Sequence, residues 1–116
     1  MVTLYGIPHC DTVKKARAWL ADRQVDVRFH DFKKSGVPAS ALPAWMAAVG
    51  RDRLLNRRGT TWRGLDAAAQ AAAGTDAGAV ALMQAQPSIV KRPVVEWPDG
   101  TVTVGFDADD WARRIA

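Results

Sequence analysis

The chain is expected to fold as a small α/β protein, a mixed β-sheet flanked by helices with a helical insertion between its two β-rich ends. Three observations predict this. Residues 2–7 form a short apolar run that passes through Pro8, His9 and Cys10 into a helical pattern. Residues 25–32 alternate, with Val25, Val27 and Phe29 apolar and Asp26, Arg28 and His30 polar, the period of a half-buried strand. Near the C-terminus, residues 94–97 and 101–105 flank Pro98-Asp99-Gly100, two strands around an Asp-Gly turn.

Taken in order, the run 2–7 is the first strand and residues 11–22 the first helix, with Ala16, Trp19 and Leu20 at helical spacing on one face. A strand, a helix and a second strand at 25–32 make a βαβ unit, so the two strands are expected to be parallel. Residues 33–38 read as a turn. A helix over 40–49 would bury Leu42, Trp45, Met46 and Val49, with Pro43 in its first turn and Gly50 as its stop. A short helical piece over 52–55 leads to the polar segment 56–63. The Ala-rich stretches 65–73 and 76–86 favour helix by propensity, separated by Gly74-Thr75, with Asp76 placed to cap the second. Pro87 ends that helix, the hairpin follows, and a last helix over 107–115 sets Trp111 and Ile115 on one face. No repeat or linker interrupts the chain, which is read as a single domain, 1–116, with its insertion at about 38–86.

An apolar fraction of 48% against 24% charged residues, over 116 positions, is enough for a buried core and argues against disorder. No apolar run reaches membrane-spanning length, and the first residues lack the pattern of a secretory leader, so a cytoplasmic protein is expected. The net charge of +4 favours anionic ligands in general. The cations fall in scattered pairs, Lys14-Lys15, Lys33-Lys34, Arg57-Arg58, Lys91-Arg92 and Arg113-Arg114, rather than in a stripe, which argues against direct nucleic-acid binding. Two histidines and one cysteine without close ligand spacing argue against a metal site. The five tryptophans read as core anchors, except Trp62, which either lines a cleft opposite Cys10 or pins the insertion.

Cys10 is the only cysteine. A thiol where a strand turns into a helix sits near unpaired backbone N–H groups and the positive end of the helix dipole, conditions that favour the reactive thiolate. With one cysteine, no internal disulfide forms, so any oxidised or adducted Cys10 must be resolved by an outside thiol such as glutathione or a glutaredoxin. His9 and His30 are candidate bases, but a thiolate stabilised by a helix needs none.

Four segments carry a resemblance that spans essentially the whole chain: Gly6-Ile7-Pro8-His9-Cys10-Asp11-Thr12-Val13-Lys14-Lys15-Ala16, Phe29-His30-Asp31-Phe32-Lys33-Lys34, Leu55-Asn56-Arg57-Arg58-Gly59-Thr60-Thr61-Trp62 and Gln86-Pro87-Ser88-Ile89-Val90-Lys91-Arg92-Pro93-Val94. They resemble the arsenate reductase (ArsC) family and within it the YffB branch of the Spx-like proteins. The resemblance implies a thioredoxin-like fold, Cys10 as nucleophile, Arg92 as an anion-binding arginine beside it, and a cis peptide bond before Pro93. Substrate-site candidates are Asn56, at the position of a family arginine, the adjacent Arg57, and Pro93, whose cis bond would place backbone groups beside the thiol; Thr12, or the backbone N–H groups after Cys10, could hydrogen-bond the thiolate.

The departures from the family pattern matter as much. Glutaredoxin-linked arsenate reductases set three arginines around the cysteine; here Asn56 stands at the first position, next to Arg57 and Arg58, and Gly105 stands at the third. Spx-type transcription regulators, which bind RNA polymerase, switch through a Cys-x-x-Cys pair, and Val13 occupies its second position. The function expected is therefore a glutathione-dependent thiol/disulfide reductase with no bound cofactor and glutathione as co-substrate. The alternatives are a protein-binding module of the Spx type contacting RNA polymerase and, third, an arsenate reductase. For Arg92 the alternative role is a structural ion pair with Asp11 or Asp31.

Overall fold

Strand β1, Val2–Gly6, lies inside a four-stranded sheet between β2, Val27–Asp31, and β3, Val94–Glu96, while β4, Val102–Val104, pairs with the far side of β3. The computed structural model describes residues 1–116. β1 runs parallel to β2, with Val2 opposite Val27 and Leu4 opposite Phe29, and antiparallel to β3, with Leu4 opposite Val95. The expected βαβ unit and C-terminal hairpin are both present.

The chain builds two compact units, Met1–Asp31 with Arg92–Ala116, and Phe32–Lys91. In the first, helices α1, Asp11–Asp22, and α8, Ala108–Ile115, pack on one face of the sheet. That follows from alternation: Val2 and Leu4 of β1 and Val95 of β3 point to this face and meet Val13, Ala16 and Leu20 of α1 and Trp111 of α8. Trp111 is held edge-on by three aromatic rings, with centroids 6.0 Å from Trp19, 5.2 Å from Trp97 and 4.8 Å from Phe106. Asp107 caps α8 by accepting the Asp110 N–H at 3.1 Å, and Arg113 and Arg114 occupy its last turn, so charge and helix dipole agree at both ends.

The opposite sheet face is more polar. There the Tyr5 hydroxyl donates to Glu96 at 2.7 Å, and the Tyr5 ring lies 4.9 Å from that of His30. Burial and the Glu96 carboxylate hold the Tyr5 phenol well above its ordinary pKa.

The second unit is helical. It comprises α2, Phe32–Ser35, α3, Leu42–Val49, α4, Arg51–Leu54, α5, Thr60–Arg63, α6, Ala67–Ala72, α7, Asp76–Ala85, and a 3-10 turn at Pro87–Ile89. The stretch 38–86 falls within it. Phe32 and Trp45, both buried, set their rings 6.4 Å apart. Pro43 lies in the first turn of α3, and the Gly50 N–H returns to the Met46 carbonyl at 2.8 Å where that helix stops.

Three local expectations change. Residues 33–38 do not form a simple turn: the Gly36 N–H donates to the Phe32 carbonyl at 2.9 Å and closes one helical turn over buried Phe32. Within the segment 56–63, Thr60–Arg63 is helical. The cap of α7 is Thr75 and not Asp76, since the extended backbone at Thr75 lets its hydroxyl accept the Gly78 N–H at 3.1 Å. Asp76 instead pairs with Arg51 at 2.6 Å.

The approach of α1 to β1 depends on Gly6. A Cβ there would lie 2.8 Å from Val13 Cγ2, and the valine has no free rotamer inside a packed helix to relieve it. Gly6→Ala is expected to cost about 1–3 kcal/mol through forced displacement of the helix, read as a lower urea midpoint at unchanged m-value.

Candidate active site

Cys10 is the N-cap residue of α1, with extended backbone angles of φ −75° and ψ 126°. Its N–H donates to the Ile7 carbonyl at 3.1 Å, closing the turn out of β1, and its own carbonyl accepts the Lys14 N–H at 2.9 Å as the first helical bond. A serine or aspartate at this position would close the cap with a tight side-chain hydrogen bond. The cysteine does not, and its sulfur is left partly exposed beside the free N–H groups of the first turn.

The electrostatics follow from that placement. Partial burial alone pushes the Cys10 thiol up. Against it act the Val13 N–H, the Arg92 guanidinium as donor and as positive charge, and the Thr12 N–H; together they prevail and hold the thiol below its ordinary pKa. It is the Thr12 backbone that acts on the sulfur, while the residue itself is exposed.

Arg92 reaches this thiol from the other end of the chain because of the segment that carries it. The Arg92–Pro93 peptide bond is cis, as expected, and Pro93 is buried. The Pro93 carbonyl accepts the Gly105 N–H at 2.9 Å, which ties the loop to the end of the β3–β4 hairpin. Gly105 has φ +80°, so an arginine at this point would be strained in the present backbone. The departure from the three-arginine pattern therefore has a conformational side as well as a chemical one.

Cys10, Thr12, Arg92 and Pro93 thus lie together in the sheet unit. Asn56 and Arg57 belong to the helical unit and are engaged there. Asn56 donates its N–H to the Ile89 carbonyl at 2.6 Å and accepts the Arg58 N–H on its side chain at 3.3 Å. Arg57 pairs with Asp52 at 2.8 Å and lies 5.4 Å from the Trp62 ring, which is half-buried. His9 is exposed on the turn before Cys10, and the His30 ring packs against that of Tyr5. The sequence places the thiol near backbone N–H groups at the start of the helix, and the structure assigns that role to those of Val13 and Thr12. No three His, Cys, Asp or Glu side chains cluster as metal ligands.

Arg92→Gln removes the positive charge while keeping a donor. It is expected to raise the Cys10 pKa, because the positive charge and charged donor that favour the thiolate are lost, measured from the pH dependence of thiolate absorbance.

A four-stranded mixed sheet with an N-capping cysteine, a cis-proline loop facing it and an inserted helical segment defines a thioredoxin-like thiol protein. The sequence model of the ArsC family matches residues 5–114, and the chain belongs to that family. A solved structure named as a YffB protein has a TM-score of 0.93 and 46% identity, with both chains covered in full. An arsenate reductase (ArsC) related protein from Brucella melitensis has a TM-score of 0.72 and 47% identity, covering 98% of this chain and 93% of the other. The global transcriptional regulator Spx of Streptococcus pyogenes is 27% identical over 112 residues, 95% of this chain and 81% of Spx. The chain is thus an Spx-like ArsC-family protein of the YffB branch, and its family and fold are those of thiol-dependent reductases.

Proposed function

We propose that the protein is a glutathione-dependent thiol/disulfide reductase acting in the cytoplasm, where glutathione is kept reduced. The observation that carries this reading is the Cys10 thiol at the cap of α1, held below its ordinary pKa against partial burial by the Val13 and Thr12 N–H groups and by Arg92.

The cycle balances with one protein sulfur. The Cys10 thiolate attacks the glutathione sulfur of a mixed disulfide, forming Cys10–S–S–glutathione as the substrate thiolate leaves and takes up a proton. A second glutathione thiolate then attacks the glutathione sulfur of that adduct. Oxidised glutathione departs and the Cys10 thiolate is restored, so each turn consumes one glutathione thiol and exchanges the substrate mixed disulfide for oxidised glutathione and a free substrate thiol. Arg92 would hold the thiolate and offer a fixed charge to a glutathione carboxylate.

The test is intact mass after exposure to oxidised glutathione, joined to a titration of the Cys10 thiolate. A single adduct at Cys10, removed by reduced glutathione, together with a pKa below about 8.5, supports the reading. An ordinary pKa with no adduct overturns it.

A second reading is a protein-binding role of the Spx type, with RNA polymerase as partner, favoured by the similarity to Spx across most of both chains. A polymerase complex that persists in Cys10→Ser would favour that role. Arsenate reduction is the weakest reading. A doubly charged oxyanion needs several fixed donors, Arg92 is the one arginine acting on the thiol, and glycine stands at the third arginine position.

A further inference from the structure

The geometry points to a peptide-docking groove along the outer edge of β2, suited to an extended, acidic segment of a partner protein that adds to the sheet as a fifth strand. β2 is an edge strand, and its ladder with β1 is regular from Val27 through Asp31, without bulge or proline. The Val2 N–H donates to the Asp26 carbonyl at 3.1 Å, which sets the phase of the strand. In a parallel pair the backbone groups of alternate residues face the same way, so Asp26, Arg28 and His30 turn theirs toward β1. Val27 and Phe29 turn theirs outward, where the sheet has no further strand.

The side chains of those same two residues line a groove of about 490 Å³ between β2 and α1. Val25, Val27 and Phe29 form one wall, while Ala18 and Ala21 of α1 leave the other shallow. Two cations stand in the lining, Lys14 and Arg17, and no acidic side chain does. The Arg17 guanidinium lies 4.0 Å from the Phe29 ring centroid, which orients a cation at the rim with its edge open to a carboxylate.

Natural edge strands are usually blunted by proline, a bulge or a charge on the strand itself. None of these stands on the groove side of β2, where the exposed pattern is apolar with cations supplied from the neighbouring helix. That combination fits strand addition. Main-chain hydrogen bonds at Val27 and Phe29 give affinity, small apolar side chains enter the groove, and carboxylates meet Lys14 and Arg17. Cys10, Lys14, Arg17 and Ala21 also recur at spacings of four, three and four along α1. A peptide in the groove would therefore lie about 10 Å from the thiol, at 1.5 Å of rise per residue. The inference does not depend on the reactivity of that thiol.

The experiment uses full-length Cys10→Ser protein, so that binding is read apart from disulfide chemistry. The probe is the peptide acetyl-Asp-Thr-Val-Thr-Glu-Thr-Val-amide, whose carboxylates and valines share one face of the extended chain, with a counterpart carrying lysine at each acidic position. NMR titration and amide hydrogen exchange are the readouts. Saturable binding at low salt is expected, at least about tenfold tighter for the acidic peptide, with slowed exchange at Val27 and Phe29. Lys14→Glu and Arg17→Glu, both at exposed positions, should each weaken it by about tenfold, and N-methylation of alternate peptide residues should abolish it in one phase only. Equal affinity for the two peptides, unchanged exchange at the two amides at saturation, or no binding up to millimolar peptide would each overturn the inference. Concentration-dependent self-association that protects the same amides without peptide would assign the edge to a second copy of the chain, and would overturn it as well.

Discussion

Cys10→Ser abolishes the proposed glutathione cycle, with a loss of at least about 10³-fold in reductase turnover, because a serine hydroxyl is not ionised near neutral pH and forms no mixed disulfide. The fold is expected to survive, since a serine is a good cap and can take the first-turn N–H groups that now face sulfur. Turnover with synthetic glutathione mixed disulfides is the direct measurement; residual turnover within about tenfold of the parent would remove Cys10 from the mechanism.

The same substitution has a second readout in stability. The folded chain holds the Cys10 thiol below its ordinary pKa, so between the folded and unfolded values the unfolded chain binds more protons. Stability from this group is therefore fully present above the unfolded pKa, rises with pH across the window, and is lost as pH falls through the folded pKa. Cys10→Ser should flatten that rise. Thermal unfolding of both proteins across the window checks it, and parallel curves would mean that the thiolate is not stabilised in the fold.

Trp111→Ala is expected to be the most damaging single change to the fold. The side chain is 1% exposed and sits among Trp19, Trp97 and Phe106, where α8 meets the sheet and α1. Truncation leaves a large apolar void and removes three edge-on ring contacts, at a cost of about 3–5 kcal/mol. A domain of this size has roughly 5–15 kcal/mol in total, so the variant will be marginal and unfold at low urea. Trp111→Phe keeps most of the contact and should unfold between the two. A midpoint for Trp111→Ala close to that of the parent protein would show that the cluster closes over the gap.

Local signals were legible where one side chain and its near neighbours settle the structure. The alternation in residues 25–32 set the faces of β2, and the Asp-Gly pair set the hairpin. Trp111 was readable as an anchor from its spacing to Ile115. Caps were less secure, because Thr75 and Asp76 are both good capping residues and only backbone angles distinguish them. Residues 33–38 read as a turn and Phe32 as the end of the strand 25–32, because the polar run Lys33-Lys34-Ser35 carries no helical signal and the burial of Phe32 that starts a helical turn is a matter of packing and not of local preference.

By itself the sequence determined that a lone cysteine stands at a strand–helix junction. From that follow a thiol facing backbone N–H groups and the need for an external resolving thiol, since both depend only on chain-local geometry and on a count of one. Tertiary structure alone decided which distant groups answer it. Arg92 reaches Cys10 because the Arg92–Pro93 loop leads into β3, which pairs with β1, and Tyr5 finds Glu96, 91 residues away, across the same paired strands. The open edge of β2 is equally invisible in sequence, because an edge is defined by the strand that is absent beside it.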